Sequence, residues 1–333
     1  MTSLLGRLAG GGDLSALEME AAIDLLLQGA TPENEIALLL TALHAKGETP
    51  DEIAGAARAM RRHMTPLRTT RTNVIDTCGT GGVGSELFNI STAAAIVVAA
   101  AGVPVAKHGN RSVTSKSGSS DVLAALGVKI DLPHDRVAQC LNDLGICFCF
   151  APRFHPAMKH VASVRKALGF ATIFNLLGPL CNPAGATRQL LGVGKRELHE
   201  TMAQVLSRLG VERCIVVHGT DGVGEVSLSA PTEVIEVQGE SMRSFAWSPA
   251  DFGLPVQSQD RLRIASAAES AALIRGILAG ERGAPRDVVI LNAAAALWTA
   301  GVDSSVPGCA QIAAESIDSG HARDLLERWK SFS

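Results

Sequence analysis

The chain has no tyrosine, and only 4% of its 333 residues are aromatic. Its basic residues are spread out instead of forming a stripe, and no aromatic stacking face accompanies them, which argues against a nucleic-acid surface. Neither sign of charge dominates: 30 Lys and Arg meet 33 Asp and Glu, for a net charge of −3. No window reaches about 18 uninterrupted apolar residues. Residues 1–12 hold one arginine and no apolar stretch of signal-peptide length. A cytoplasmic protein with no membrane partner is therefore expected. Paired Cys-x-x-Cys spacing is missing too. Cys78, Cys140, Cys147, Cys149, Cys181, Cys214 and Cys309 form an odd set, mostly in apolar surroundings, and read as reduced core residues. Asn89-Ile90-Ser91 and Asn110-Arg111-Ser112 match the glycosylation sequon, which carries no weight without a secretory signal.

What is present is ample apolar content, 47% of the chain, enough for one large domain or two ordinary ones. The first 65 residues read as helical. Start signals fall at Ser15-x-x-Glu18, Thr31-Pro32 and Thr49-Pro50-Asp51-Glu52, each pairing a hydroxyl cap with a reaching carboxylate or a first-turn proline. Stop signals follow at Gly29 and Gly47. Between them Ile23, Leu26, Leu27, Ile36, Leu39, Leu40, Leu43, Ile53, Ala57, Met60 and Met64 recur at helical spacing. From Asn73 short apolar strands alternate with Ala-rich helices, the pattern of a sheet with helical crossovers. Strands are expected at 73–77, 103–106, 146–150, 214–218 and 234–237, and helices at 267–279 and 288–300. The second of these helices is nearly all apolar and hence interior. Residues 154–183 read as helices and turns.

The chemistry gathers between Asp76 and Asp121. After the first strand, Gly79-Thr80-Gly81-Gly82-Val83-Gly84 lets the backbone turn sharply and expose consecutive N–H groups. Asn89, Ser91 and Thr92 then open an apolar helix whose N-terminus offers unpaired donors and partial positive charge. The segment Lys107-His108-Gly109-Asn110-Arg111 reads as a basic loop after the second strand, beside the hydroxyls of Ser112, Thr114, Ser115, Ser117 and Ser119. Each piece alone is a common turn, cap or surface loop. In succession at strand ends they point to a polyphosphate site. The spacing Gly79-x-Gly81-x-x-Gly84 also matches a dinucleotide fingerprint. However, the helix starts several residues late, and Lys107 stands where an NAD site would have an acid.

These motifs, with Arg165-Lys166-x-Leu168-Gly169 and Phe174-Asn175-Leu176-Leu177-Gly178-Pro179-Leu180-x-Asn182-Pro183, resemble the anthranilate phosphoribosyltransferases along the whole chain. The resemblance implies an α/β fold, with a small N-terminal helical domain (1–70, completed by helices within 154–185). The larger domain, 73–153 and 186–333, would have a central, mostly parallel sheet flanked by helices. It implies a homodimer that transfers the phosphoribosyl group of phosphoribosyl diphosphate (PRPP) to anthranilate in tryptophan biosynthesis, with Mg2+ required. PRPP would be met by Gly79, Gly82, Val83, Leu87, Asn89, Ile90, Ser91, Thr92, Lys107, His108, Gly109, Asn110, Arg111, Ser112, Val113, Thr114, Ser115 and Ser119. Anthranilate would be met by Gly79, Asn110 and Arg165, and magnesium by Ser91 and Glu225. No residue is assigned as acid or base, His108 and His155 included.

Three positions depart from the family pattern. Val83 stands where an Asp is usual, Leu87 where a hydroxyl residue is usual, and Gly224 where an Asp would precede Glu225. With two carboxylates gone, one magnesium position is expected and a second is in question. Asp221 is a candidate replacement. The alternatives are a PRPP-binding relative with a different aromatic acceptor or little activity and, further off, an NADP-dependent oxidoreductase.

Overall fold

The computed structural model describes residues 1–81, 86–111 and 118–332. Four helices lead: α1 (Thr2–Ala9), α2 (Ala16–Leu27), α3 (Glu33–Lys46) and α4 (Pro50–His63). Ser15 and Thr49 each close a full capping box, with Glu18 and Glu52 reaching back to the cap, so two orphan donors are satisfied at each start. Glu52 does more than cap. Fully buried, it accepts from Leu14 N at 2.9 Å, Thr49 N at 2.8 Å and Lys46 Nζ at 2.9 Å. A carboxylate taken out of water is tolerated when its lone pairs are filled in this way. Of the apolar runs, Leu26, Leu27, Leu39 and Leu40 are core, whereas Leu17, Leu25 and Leu38 face outward.

Seven strands form one sheet: β1 (Ile75–Asp76), β2 (Val105–Gly109), β3 (Ile146–Phe150), β4 (Arg188–Gly192), β5 (Arg213–Gly219), β6 (Thr232–Gln238) and β7 (Ser241–Trp247). Their order is β3-β2-β1-β4-β5-β6-β7. The first five run parallel, and β6 and β7 close one edge antiparallel. The chain leaves β1 toward β2 on one side, and β4 later fills the other side. β1 is therefore the switch point, and the crevice beyond its carboxyl end is where an open α/β sheet takes a ligand.

Two differences from the sequence reading bear on that crevice. The second strand ends three residues later than expected, at Gly109, so Lys107 and His108 are buried strand residues and not part of a loop. Strands β4 and β7 were not foreseen. Arg188-Gln189-Leu190-Leu191-Gly192 lacks β-branched residues, and β7 is an edge strand whose residues are mostly exposed.

The pleat of β4–β6 sorts side chains between two cores. Leu190, Ile215, Val217 and Val234 join helix α5 (Ile90–Ala100) and the interior helix Ala284–Ala300. Leu191, Val193, Cys214, Val216, Ile235 and Val237 face the other way, into the apolar cluster of α1–α4. Val161, Val164, Ile173, Phe174, Leu177 and Leu180 belong to that second cluster as well. The stretch after β3 thus packs back on the first helices.

The closest approach within the helical cluster is at Gly55. A Cβ there would lie 2.2 Å from the carbonyl oxygen of Ala16, at the start of α2. Gly55→Ala should therefore destabilise the fold by about 1–3 kcal/mol through overpacking against backbone, despite the roughly 1 kcal/mol that Ala contributes to a free helix. A lower urea midpoint at unchanged m-value is the expected observation.

Candidate functional site

Three segments converge at the carboxyl ends of β1, β2 and β4. At the start of α5, Asn89 is the N-cap and its Oδ1 accepts from Thr92 N at 3.0 Å. The cap is itself anchored, since Asn89 N donates to Ser270 Oγ at 2.9 Å. Ser91 Oγ also donates to Asn89 Oδ1 at 3.3 Å. From β2, Lys107 reaches this helix end: its Nζ donates to Ser91 Oγ at 3.1 Å and to Thr77 Oγ1 at 3.4 Å. Lys107 is only 2% exposed. Among the described residues no ion pair to it is formed. A buried ammonium beside a helix N-terminus, held by hydroxyls alone, is a strong call for an anion.

Backbone packing shapes the same crevice. Thr80 N donates to Gly192 O at 2.9 Å, laying residues 79–81 across the end of β4, and a Cβ at Gly79 would sit 2.7 Å from that carbonyl oxygen. Gly109 ends β2 equally tightly, its would-be Cβ 2.1 Å from Ser119 Oγ. Asn110 and Arg111 follow, exposed, with Asn110 Oδ1 accepting from Arg111 N at 2.8 Å. Leu87 and Ile90 line a small apolar hollow beside Glu225. Gly82, Val83, Ser112, Val113, Thr114 and Ser115 lie outside the described residues.

The reach toward Arg165 runs through side chains that the sequence reading left without a role. Arg165, on the helix Lys159–Leu168, donates from Nη2 to Asn175 Oδ1 at 3.3 Å, and its guanidinium lies 5.4 Å over the Phe174 ring. Burial lowers the Arg165 pKa from its ordinary value. A few residues on, Gly178 O accepts from His108 Nδ1 at 2.8 Å. Asn182 Nδ2 donates at 2.7 Å both to Asp76 Oδ2 and to Ala106 O. Asp76 Oδ1 also accepts from His108 N at 3.3 Å. Burial pushes the Asp76 carboxyl up to about 6, against the pull of Lys107 and these hydrogen bonds. Asp76 is thus the bolt between the sheet and the segment carrying Asn175. Its place at the carboxyl end of the central strand was the available signal. Asn182, read as a turn residue, is the other half of that bolt.

His108 and His155 face each other, Nε2 to Nε2, at 3.1 Å. Because His108 Nδ1 donates to Gly178 O, its Nε2 is the acceptor and His155 the donor. Burial drives His108 down to about 4. Burial and then the neighbouring His108 drive His155 to about 3. Both rings are neutral at ordinary pH and serve as hydrogen-bonding struts.

Glu225 follows β5. Burial pushes its carboxyl up to about 7, with Lys107 the charge that opposes the shift. Gly224 beside it lies against backbone: a Cβ at 224 would be 2.9 Å from Gly194 N, and one at 192 would be 1.8 Å from Gly224 O. Asp221, the candidate replacement for the missing acid, is tied to its own surroundings. Its Oδ2 is engaged by Ser227 Oγ at 2.5 Å, by Ser229 Oγ and by Gln259 Nε2. The donor set therefore fits a hard cation through Glu225 and a hydroxyl oxygen such as Ser91 Oγ. No group of three or more His, Cys, Asp or Glu converges among the described residues, which leaves most ligands to phosphate and water.

Comparison with known proteins gives a consistent picture. Residues 71–323 match the glycosyl transferase family a/b domain, and residues 2–64 match its helical bundle domain. An anthranilate phosphoribosyltransferase of Rhodopirellula baltica is 53% identical over 319 residues, covering 96% of this chain and 93% of that protein. The crystal structure of the Thermus thermophilus anthranilate phosphoribosyltransferase superposes with a TM-score of 0.92 at 44% identity, covering 98% of each chain. The Saccharomyces cerevisiae enzyme in complex with PRPP and Mg gives 0.90 at 28% identity, covering 99% of this chain and 97% of that one.

The imidazole pair makes a pH prediction. A histidine whose folded pKa is depressed binds its proton more readily when unfolded, so its contribution to stability is lost as pH falls below about 6.5. For one such ring the loss is about 1.4 kcal/mol per pH unit between its unfolded and folded values. His155→Gln keeps an N–H donor toward His108 and removes that titration. Its unfolding free energy should fall less steeply than wild type between pH 6.5 and 5. Parallel slopes would show that His155 does not titrate as described.

Proposed function

The chain belongs to the anthranilate phosphoribosyltransferase family, and we propose that it joins the amine of anthranilate to the ribose of PRPP, releasing diphosphate, as a step of tryptophan biosynthesis. The observation that carries this reading is the buried Lys107 ammonium at the N-terminus of α5, held by Ser91 and Thr77.

In this reading the diphosphate of PRPP lies against Lys107, the α5 N-terminus and the Gly79 turn. Leu87, Asn89, Ile90, Ser91, Thr92, His108, Gly109, Asn110, Arg111 and Ser119 frame it. Gly82, Val83, Ser112, Val113, Thr114 and Ser115 complete the set. Arg165, steadied by Asn175 and Phe174, takes the anthranilate carboxylate with its planar donor fork. Asn110 accepts from the amine and Gly79 lies near both substrates. The amine lone pair forms the N–C1 bond as the C1–O bond to diphosphate breaks, and the amine proton then leaves to water. An aromatic amine is mostly unprotonated at neutral pH, so alignment and charge stabilisation supply the catalysis. The neutral imidazoles of His108 and His155 fit a mechanism without a strong base.

Bound Mg2+ would neutralise the departing diphosphate. Glu225 and Ser91 would hold it, and we assign a single ion, because Gly224 is packed against backbone and Asp221 is engaged elsewhere. In the same reading 1–70 with the helices of 154–185 form one domain, and 73–153 with 186–333 the other. The working unit is a cytoplasmic homodimer, for which exposed Leu17, Leu25 and Leu38 offer apolar surface. No helix among the described residues is long and apolar enough to cross a membrane.

Anthranilate fluorescence should disappear on mixing with PRPP and Mg2+, and no turnover at any magnesium level would overturn the assignment. Arg165→Ala should raise the KM for anthranilate by about 10- to 100-fold, the loss expected of a charge-assisted hydrogen-bonded pair. The KM for PRPP should change little.

A further inference from the structure

The interior helix Ala284–Ala300 carries one polar side chain with no evident packing purpose. Asn292 is buried, 1% exposed, among Val289, Ile290, Leu291, Ala293 and Ala294, all of them core. Its amide grips a single residue of another segment. Oδ1 accepts from Val226 N at 2.9 Å, and Nδ2 donates to Val226 O at 3.0 Å. The remaining Nδ2 hydrogen goes to Val288 O at 2.9 Å. Val226 directly follows Glu225. Both hydrogen-bonding groups of the residue after Glu225 are thus fixed to a rigid helix that also packs on α5, whose first turn holds Ser91. On the outer side the same loop, residues 220–231, is tied by Asp221 to Ser227, Ser229 and Gln259.

A buried amide with every donor and acceptor used costs little to keep, but an apolar residue would pack this helix as well. What an apolar residue could not do is hold the Val226 peptide in one orientation. We propose that Asn292 is a positioning residue that aims Glu225 at the divalent cation of the diphosphate, resting on the reading of Glu225 as the metal carboxylate. It touches neither substrate nor ion. Its effect is on the geometry of the side chain one residue away, as an outer-shell partner orients a ligand.

The test uses Mn2+ with inorganic diphosphate on the full chain, free Mn2+ being read by its EPR signal, at a temperature well below unfolding. Glu225→Gln sets the reference for a lost metal carboxylate. Asn292→Ala should weaken Mn2+ binding by about tenfold, within the range known for outer-shell partners. Excess Mn2+ should return turnover to near the wild-type kcat. Asn292→Asp keeps the acceptor toward Val226 N but loses both amide donors, and should fall between. Should Asn292→Ala fail to fold, Asp221→Ala addresses the outer tie of the same loop and should shift Mn2+ binding in the same direction. If Glu225→Gln loses Mn2+ while the Asn292 and Asp221 variants bind it as wild type and lose only thermal stability, Asn292 is merely structural. If Glu225→Gln itself binds Mn2+ as wild type, the metal assignment falls instead.

Discussion

A lysine side chain shut inside the sheet is the constraint on which the rest of the site depends. Lys107 lies on β2, an inner strand, buried, with two hydroxyls as its hydrogen-bond partners. A charge taken out of water without a bonded counter-ion costs several kcal/mol. Asp76 and Glu225 ease that cost through space, since Lys107 is the charge that lowers both their pKa values. Burial nonetheless holds both carboxyls above their ordinary values. In the proposed reading, the diphosphate supplies Lys107 with the bonded counter-ion that the described residues do not.

Around that charge a run of hydrogen bonds ties the crevice to the segment that carries Asn175. Asp76 and Asn182 bolt the 174–183 segment to β1 and β2, while His108 takes the Gly178 carbonyl. Arg165 is steadied from the same segment by Asn175 and Phe174. Arg165, the anchor of the acceptor in the proposed reading, is thereby coupled to the strand that carries Lys107 through a short run of hydrogen bonds. That rigidity is what an alignment mechanism requires, because misplacement by about 1 Å costs orders of magnitude in rate.

Much of this was legible in the residues. The capping boxes at Ser15 and Thr49, the late start of α5 at Asn89, and the interior character of residues 288–300 follow from local rules that depend on a few neighbouring side chains. The motifs around Lys107 and Arg165 carried the family resemblance. What was not legible depends on contacts between distant segments. β4 has no β-branched residue, so it does not announce that it flanks the crevice. Asn292 is a lone amide in an apolar run, and its partner lies 66 positions away. Gly224 reads in the sequence as a lost acid. In the structure it is a place where two backbones meet, and a side chain there would require the backbone at Gly194 to shift. Nor does the sequence show that Asp221 Oδ2 is held by Ser227, Ser229 and Gln259.

The account turns on Lys107 being costly to the fold and necessary to the ligand, and Lys107→Met separates the two. Methionine fills a similar volume without the charge, so the variant should unfold at the same or a higher urea concentration than wild type, consistent with the effect of replacing buried ions by apolar groups. In calorimetry it should lose PRPP binding by about 100-fold or more, given roughly 3 kcal/mol for charge-assisted contacts. A variant that unfolds more easily yet binds PRPP as wild type would contradict the account at its centre.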